Sequence, residues 1–258
     1  MIRAEKQFGN LLLRTCHSVS DMETALELQR DVWQFNDSEL VPVRLFVVGE
    51  KIGGHVLGAF DGERMVGFSY GIPGYRNGHA YLHSHMLGVA ESHRNTGVGR
   101  ALKFFQREIA IQQGFELIEW TFDPLEIKNA FLNIEKLGAI TRRYTVNQYG
   151  ITTSPLHGGL PSDRLYAEWW VKSRRVQTLL ETGEHPPVHA TEQIEVPAEI
   201  YDWKAAKDPR AAQVQSRNRE CFLKAFGEGK AVLGYERDPA GNGRFLLGRW
   251  DENWNYSG

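Results

Sequence analysis

From His79 to Val89 the chain alternates. Tyr81, His83, His85, Leu87 and Val89 fall on one face of an extended strand, and Leu82, Ser84, Met86 and Gly88 on the other. Past the strand the period changes. Val98, Leu102, Phe105 and Ile109 recur at spacings of four and three, the stripe of an amphipathic helix running to Gln113. Gly114 is placed to end that helix. Between strand and helix lies Arg94-Asn95-Thr96-Gly97-Val98-Gly99.

Upstream, Asn10–Cys16 reads as a strand. Ser20-Asp21-Met22-Glu23 has the form of a capping box, and the helix it would open runs to about Trp33 with Met22, Ala25, Leu26, Val32 and Trp33 inward. Gln34–Val41 is expected to be a flexible wall. Pro42 starts a second short helix through Phe46, Val47 and Val48, stopped by Gly53-Gly54. Two strands, His55–Phe60 and Met65–Tyr70, flank Asp61-Gly62-Glu63-Arg64, and Asn77-Gly78 gives a second hairpin signal. Three antiparallel strands therefore precede the glycine loop.

Downstream, Leu117–Phe122 is the next strand, closed by Asp123-Pro124. A helix at about Ile127–Leu137 buries Ala130, Phe131 and Ile134 and stops at Gly138. A strand near Thr141–Val146 and a Pro/Gly-rich loop, Ser154–Pro161, precede Arg164–Val171, where Tyr166, Glu168 and Trp170 alternate with Leu165, Ala167 and Trp169. Lys172–Ala190 reads either as a linker or as a helix followed by an extended piece. A strand at Glu192–Val196, a helix from about Pro209 to Phe226 and a hairpin of Ala231–Tyr235 with Arg244–Leu247 make a β-α-β-β tail. The expected fold class is α+β, a mixed, mostly antiparallel central sheet flanked by helices. The expected division is a main domain at 1–172 and a C-terminal extension at 173–258.

Composition narrows the function classes. With 41% apolar residues the chain can bury a core, and its formal net charge of −2 gives no overall basic field to recruit nucleic acid. Cys16 and Cys221 are too few for a disulfide framework or a cysteine zinc site. The first residues, MIRAEKQFGN, lack the apolar run of a signal peptide, and no segment approaches the ~20 apolar residues of a membrane span. A cytoplasmic protein with no membrane partner is the expectation.

The order strand, Arg-x-x-Gly-x-Gly, amphipathic helix, strand, helix ending in Lys-Leu-Gly resembles the GNAT superfamily of acyl-CoA-dependent N-acetyltransferases over roughly residues 10–150. The matching residues are Leu87-Gly88-Val89, Arg94 to Gly99, and Glu135-Lys136-Leu137-Gly138. Trp120-Thr121-Phe122-Asp123-Pro124-Leu125 resembles a branch of predicted acetyltransferases within it. The resemblance implies acetyl-CoA or another acyl-CoA as co-substrate. It also implies a pantetheine arm paired with the backbone of Leu87, Gly88 and Val89 like an added strand. Asn129 or Asn133 would contact that arm; the alternative for both is a solvated helix face. The diphosphate would lie on Arg94, Asn95, Thr96, Gly97, Val98, Gly99 and Arg100. Physical chemistry agrees, because Gly97 and Gly99 let the backbone approach a ligand and a helix N-terminus faces it with N–H groups. Arg94 and Arg100 can add charge-assisted hydrogen bonds. A Walker loop would need Gly-Lys-Ser/Thr, and a dinucleotide fingerprint a glycine where Leu102 stands.

Acyl transfer to an amine needs the amine deprotonated, the thioester oxygen stabilised and the thiolate released. His83 and His85 are the candidate proton acceptors, since an ordinary histidine is mostly neutral at pH 7. His-x-His-x-Leu-x-Val is similar to the strand of arylalkylamine N-acetyltransferases, whose paired histidines take this role. Glu119 and Asp123 share a face of the next strand and could relay the proton or anchor the substrate ammonium; Asp123 before Pro124 could equally form a turn or cap a helix. Two histidines alone do not make a metal site, and no metal is expected. Many family members carry a tyrosine four residues before the helix-ending glycine, where this chain has Ile134; Tyr144 and Tyr149 lie downstream. Tyr70, Tyr75, Arg76, Arg142, Arg143, Tyr166, Trp169 and Trp170 are candidates for lining an acceptor cleft. The resulting expectation is an acyltransferase moving an acetyl or succinyl group to a small-molecule amine. The alternatives are an acyl-CoA sensor without turnover and an interaction protein whose tail forms a homodimer interface.

Overall fold

The computed structural model describes residues 2–34, 36–151 and 158–249. The chain forms two compact units, Met1–Glu119 and Trp120–Gly258. Among the described residues no helix is long and apolar enough to cross a membrane.

In the first unit, β1 (Glu5–Phe8), β2 (Leu11–Cys16), β3 (His55–Asp61), β4 (Arg64–Arg76) and β5 (His79–Val89) pair antiparallel in chain order. The start of β6 (Leu117–Phe122) runs parallel to β5, with Leu82 opposite Ile118 and His83 opposite Glu119. The β3–β4 and β4–β5 turns follow their chemistry. Gly62 has φ +57°, and Asn77 and Gly78 have φ +52° and +84°, the left-handed pair that a tight hairpin of matching twist requires. β1, exposed at each position, is an added strand that its polar sequence does not announce; Gly9 at φ +59° turns it onto β2.

Three helices cover this sheet. α1 (Val19–Trp33) and α2 (Val43–Lys51) lie on one face, where Trp33 and Phe46 meet Phe68 edge-on with ring centroids 6.1 and 6.2 Å apart. α3 (Val98–Gln112) lies on the other, with Val98 and Leu102 against Gly67, and its stripe Val98, Leu102, Phe105 and Ile109 is buried as its period predicts. Gly114 follows it at φ +86°.

The start of α1 differs from expectation. The capping box is Ser18 with Asp21, not Ser20 with Glu23: the Asp21 N–H donates to Ser18 Oγ and the Ser18 N–H to Asp21 Oδ2. Arg14 on β2 decides this register by donating twice to the Asp21 carboxylate, at 3.2 and 2.7 Å. The expected wall Gln34–Val41 contains a short 3-10 turn, Asp37–Glu39. Its end is pinned by Gln29, which accepts from the Val41 N–H at 2.8 Å and donates to the Val41 carbonyl at 3.2 Å. Phe35 lies outside the described residues.

In the second unit, α4 (Ile127–Ala130) continues as a π-helical stretch, Phe131–Lys136, closed by Gly138 at φ +78°. The strand expected at Thr141–Val146 is reduced to β7 (Tyr144–Thr145), antiparallel to β8 (Arg164–Trp170). Residues 154–157 of the Pro/Gly-rich loop lie outside the described residues. Lys172–Ala190 contains α5 (Arg174–Thr182), capped by Ser173 and ended by Gly183 at φ +77°. The tail sheet has the order β10 (Lys230–Arg237), β11 (Gly243–Arg249), β9 (Glu192–Val196), with α6 (Ile200–Ala205) and α7 (Pro209–Gly227) between its first two strands in sequence.

Candidate active site

β5 is not a regular strand. Tyr70 pairs with Met86 but the next β4 residue, Gly71, pairs with Ser84, so His85 is an extra residue in the ladder. Such a bulge puts two residues opposite one and inverts the alternation beyond it. Before it, Ser84 faces α3, where Lys103 reaches its hydroxyl. After it, Leu87 and Val89 turn to α3, each within 4 Å of the position a Gly99 Cβ would take, and Gly88 faces Phe68 and Trp33 instead. The expected single face of Tyr81, His83, His85, Leu87 and Val89 is therefore broken at His85. The histidines stay together, with ring centroids 5.9 Å apart, while Leu87 and Val89 leave their face.

His85 stands edge-on to Tyr70, with 6.0 Å between centroids. Tyr70 is itself fixed: its hydroxyl donates to the Leu45 carbonyl at 2.6 Å, and its ring lies so close to Gly49 that a Cβ there would overlap it. His85 presents surface to solvent, yet its ring is seated deeply enough for burial to hold its pKa below the ordinary 6.5. A neutral imidazole at pH 7 follows.

Glu119, opposite His83 across the parallel ladder, is committed. Arg76 donates to both its oxygens, at 3.1 and 2.7 Å, and the carboxylate side chain is only 1% exposed. The Arg76 guanidinium also lies 4.9 Å over the Tyr81 ring. A bidentate, desolvated carboxylate is a poor proton relay, so the geometry favours anchoring over the relay role considered for Glu119. Arg76, expected as a cleft-lining residue, is its clamp.

Past His83, β5 pairs among the described residues on its β4 side alone, so the backbone from His85 to Val89 runs toward α3 with one edge open. The chain then makes a short 3-10 turn at Glu91–His93 and enters the loop. Arg94 Nε donates back to the Val89 carbonyl at 3.3 Å, and Thr96 Oγ1 to the His93 carbonyl at 2.7 Å. Asn95 and Gly97 are both left-handed, at φ +63° and +91°. Gly97 caps α3 with no side-chain acceptor, leaving the first-turn N–H groups for another partner. Gly99 is not left-handed, and a Cβ there would meet Val89 and Leu87 at ordinary distances of 3.7 and 3.8 Å. The fold does not demand glycine at 99, whereas a closely approaching anion would. Arg100 is exposed, its guanidinium 4.9 Å over the Phe104 ring.

Residues 14–134 match the family model of the acetyltransferase (GNAT) family. The similarity to GNAT acetyltransferases belongs to residues 14–134, just under half of the chain. Solved structures share the fold. One is yncA of Salmonella typhimurium, described as an acetyltransferase and solved with its cofactor acetyl-CoA, at 15% identity, TM-score 0.52, covering 64% of this chain and 95% of that one. Another is the ribosomal-protein-S5-alanine acetyltransferase of Vibrio fischeri, at 13% identity, TM-score 0.52, covering 66% and 97%. A third, from Desulfovibrio desulfuricans and assigned to the GNAT family, has 15% identity, TM-score 0.51 and coverage of 62% and 99%. Among curated proteins none matches the chain.

The remaining expected site residues lie in the second unit and are mostly engaged there. Asp123 forms a turn: Oδ1 accepts from the Leu125 N–H at 2.8 Å, and Oδ2 receives the Lys204 ammonium at 3.2 Å, which also reaches Glu126. This is the turn-forming arrangement that Asp123 before Pro124 allows. Asn133 is buried in the π-helical stretch, and Asn129 is exposed. Ile134 is buried. Tyr144 donates to Asp163 Oδ2 at 2.6 Å, and burial together with that carboxylate raises its pKa, while Tyr149 meets Thr121 Oγ1 at 3.1 Å. Arg142 and Arg143 both close on the buried Glu168, and Trp169 is core, edge-on to Trp120. Among the described residues no group of three or more His, Cys, Asp or Glu side chains is arranged to hold a metal ion.

Proposed function

We propose that this chain moves an acyl group, acetyl or succinyl, from coenzyme A to the amino group of a small molecule by direct transfer. The observation that carries the reading is the bulged strand itself. Its two imidazoles share one face, and its open backbone edge leads into a glycine loop and a helix N-terminus without a side-chain cap. The α3 first turn, with Arg94 and Arg100, suits the diphosphate, since the dipole favours an anion there by about 0.3–1 kcal/mol. The edge at Leu87, Gly88 and Val89 suits the pantetheine arm.

His85, held neutral by burial, takes the ammonium proton directly or through water, with His83 beside it as the second acceptor. The freed nitrogen lone pair attacks the thioester carbonyl carbon. A backbone N–H near the end of β5 donates to the developing oxyanion. The C–S bond then breaks, and the thiolate leaves with its electron pair and takes up a proton. A thiol with an ordinary pKa near 8.5 leaves without a dedicated acid, which accommodates Ile134 where a tyrosine is usual. The acetyl-CoA held by the Salmonella relative supports the donor class.

A second reading, an acyl-CoA sensor without turnover, is favoured by that same buried Ile134 and by the commitment of Tyr144 to Asp163. Thiol release separates the two when the protein is mixed with acetyl-CoA or succinyl-CoA and a panel of amines. Turnover supports the enzyme; a rise in melting temperature with CoA but no thiol supports the sensor; neither response sinks both. Replacing His83 and His85 together by alanine is expected to slow transfer while leaving CoA affinity nearly unchanged.

A further inference from the structure

Beneath the bulge lies a buried polar chain that the mechanism does not use. Lys103, on the inner side of α3, is fully buried and donates to Ser84 Oγ at 2.7 Å and to Gln106 Oε1 at 3.2 Å. Gln106 Nε2 in turn lies 3.0 Å from Ser69 Oγ and 3.2 Å from His55 Nε2. His55 Nδ1 is 3.2 Å from Gln113 Oε1, and Gln113 Nε2 donates to the Gly53 carbonyl at 3.0 Å. The donors run one way, so His55 accepts at Nε2 and carries its proton on Nδ1. Room for the chain comes from Gly71, the residue opposite Ser84: a Cβ there would stand 2.9 Å from His55 Nε2 and 3.2 Å from Gln106 Nε2.

The position of this chain is specific. It ends on Ser84, the residue immediately before the extra His85, and it begins at Gly53, at the turn from α2 into β3. A buried network of this kind holds one arrangement of the strands because any other leaves its members unsatisfied. We propose that Lys103 is a positioning residue: through Ser84 it fixes the phase of β5 at the bulge and so aims His85 at the face where His83 and Tyr70 stand. Burial drives the Lys103 pKa well below 10.5, in keeping with an amine used as a neutral hydrogen-bond donor. The proposal rests on the reading of His85 as proton acceptor, but the placement of the imidazole can be read without turnover.

The test uses Lys103→Met, which keeps the chain length and removes the amine, Ser84→Ala, which removes its acceptor, and the two together. In each, kcat, CoA affinity and the ring resonances of the histidines are measured. Both single variants are expected to lose about 10- to 100-fold in kcat, as small misplacements of a reacting group do, with CoA affinity held within about twofold. The double variant is expected to lose no more than the worse single one. The His85 ring resonances should move, and those of His93, on the exposed loop, should stay. Losses that multiply, a fall in CoA affinity in step with kcat, or unmoved His85 resonances in folded variants would each overturn the proposal. Should Lys103→Met fail to fold, Ser84→Ala decides it by the same readings. If the unaltered protein turns over no amine, the acyl-transfer reading falls while the resonances still decide whether Lys103 places His85.

Discussion

Arg76 grips Glu119 with two hydrogen bonds, of 3.1 and 2.7 Å, across the gap between the end of β4 and the start of β6. The acid is almost wholly buried and the base keeps 36% of its side chain in water. Removing only the base strands a charge, which costs more than the pair contributes. Arg76→Ala is expected to lower stability by about 2 kcal/mol, below the roughly 3–5 of a fully enclosed pair because water can reach Glu119 in the gap left behind. Urea unfolding checks this. Arg76→Ala combined with Glu119→Gln should lose less than Arg76→Ala alone, and an equal or larger loss would show that the pair does not act as one unit.

Gly97 and Gly99 separate the fold from the ligand. At φ +91° Gly97 has a conformation that costs an L side chain roughly 1 kcal/mol, so Gly97→Ala should lower the melting temperature. Gly99 is helical with room for a Cβ, so Gly99→Ala should leave stability unchanged or raise it by up to about 1 kcal/mol. Its effect is expected instead on CoA, with a clear loss of affinity by calorimetry. Full CoA affinity in Gly99→Ala would mean that no diphosphate comes close to that backbone.

These local features were readable because their causes are local. Asn77-Gly78 and Asp61-Gly62 specify turns through residues that tolerate positive φ, and the α3 stripe is a matter of spacing. The bulge was not readable. An extra residue in β5 exists only relative to β4, through the pairing of Gly71 with Ser84, and nothing in the run from His83 to Val89 marks it. The α1 cap failed for a similar reason: Ser18 and Ser20 both precede an acid by three residues, and Arg14, from another strand, chooses between them. Asp123, Arg142 and Arg143 had residue types suited to chemistry, but their partners Lys204 and Glu168 lie far along the chain. Lys103 and Gln106 do carry a signal in the sequence, two polar residues on the buried side of an amphipathic helix.

His55 and His185 make the chain sensitive to acid. Burial pushes both pKa values down from 6.5 to about 4, the Arg175 charge adding to the effect at His185. Between those values the unfolded chain binds protons that the folded chain does not, so the contribution of these two histidines to stability is complete above about pH 6.5 and is lost as pH drops toward 4. His55 alone accounts for a loss on the order of 3 kcal/mol across that window. Unfolding midpoints at pH 7 and pH 4.5 measure it. Gln in place of His55 cannot take up the proton, so His55→Gln should narrow the difference between the two pH values even if it is less stable at both. An unchanged difference would mean that His55 does not stay neutral on folding.

In the tail, Tyr235 and Gly243 are shaped to each other. They are separate partners on the adjacent strands β10 and β11, and a Cβ on Gly243 would stand 1.8 Å from the Tyr235 hydroxyl and 2.7 Å from the ring carbon that bears it. That hydroxyl is buried and finds no hydrogen-bond partner among the described residues, and burial raises its pKa. An unsatisfied buried hydroxyl costs about 1–3 kcal/mol, so Tyr235→Phe is expected to leave the protein as stable as before or more so. Gly243→Ala should cost about 1–3 kcal/mol, because the flanking strands must shift to admit a methyl group. Adding Tyr235→Phe should recover part of that loss and not all of it, since the ring carbon remains too close. Thermal unfolding of the three variants checks the series: if Gly243→Ala loses as much with Phe at 235 as with Tyr, the hydroxyl is not what requires a glycine at 243.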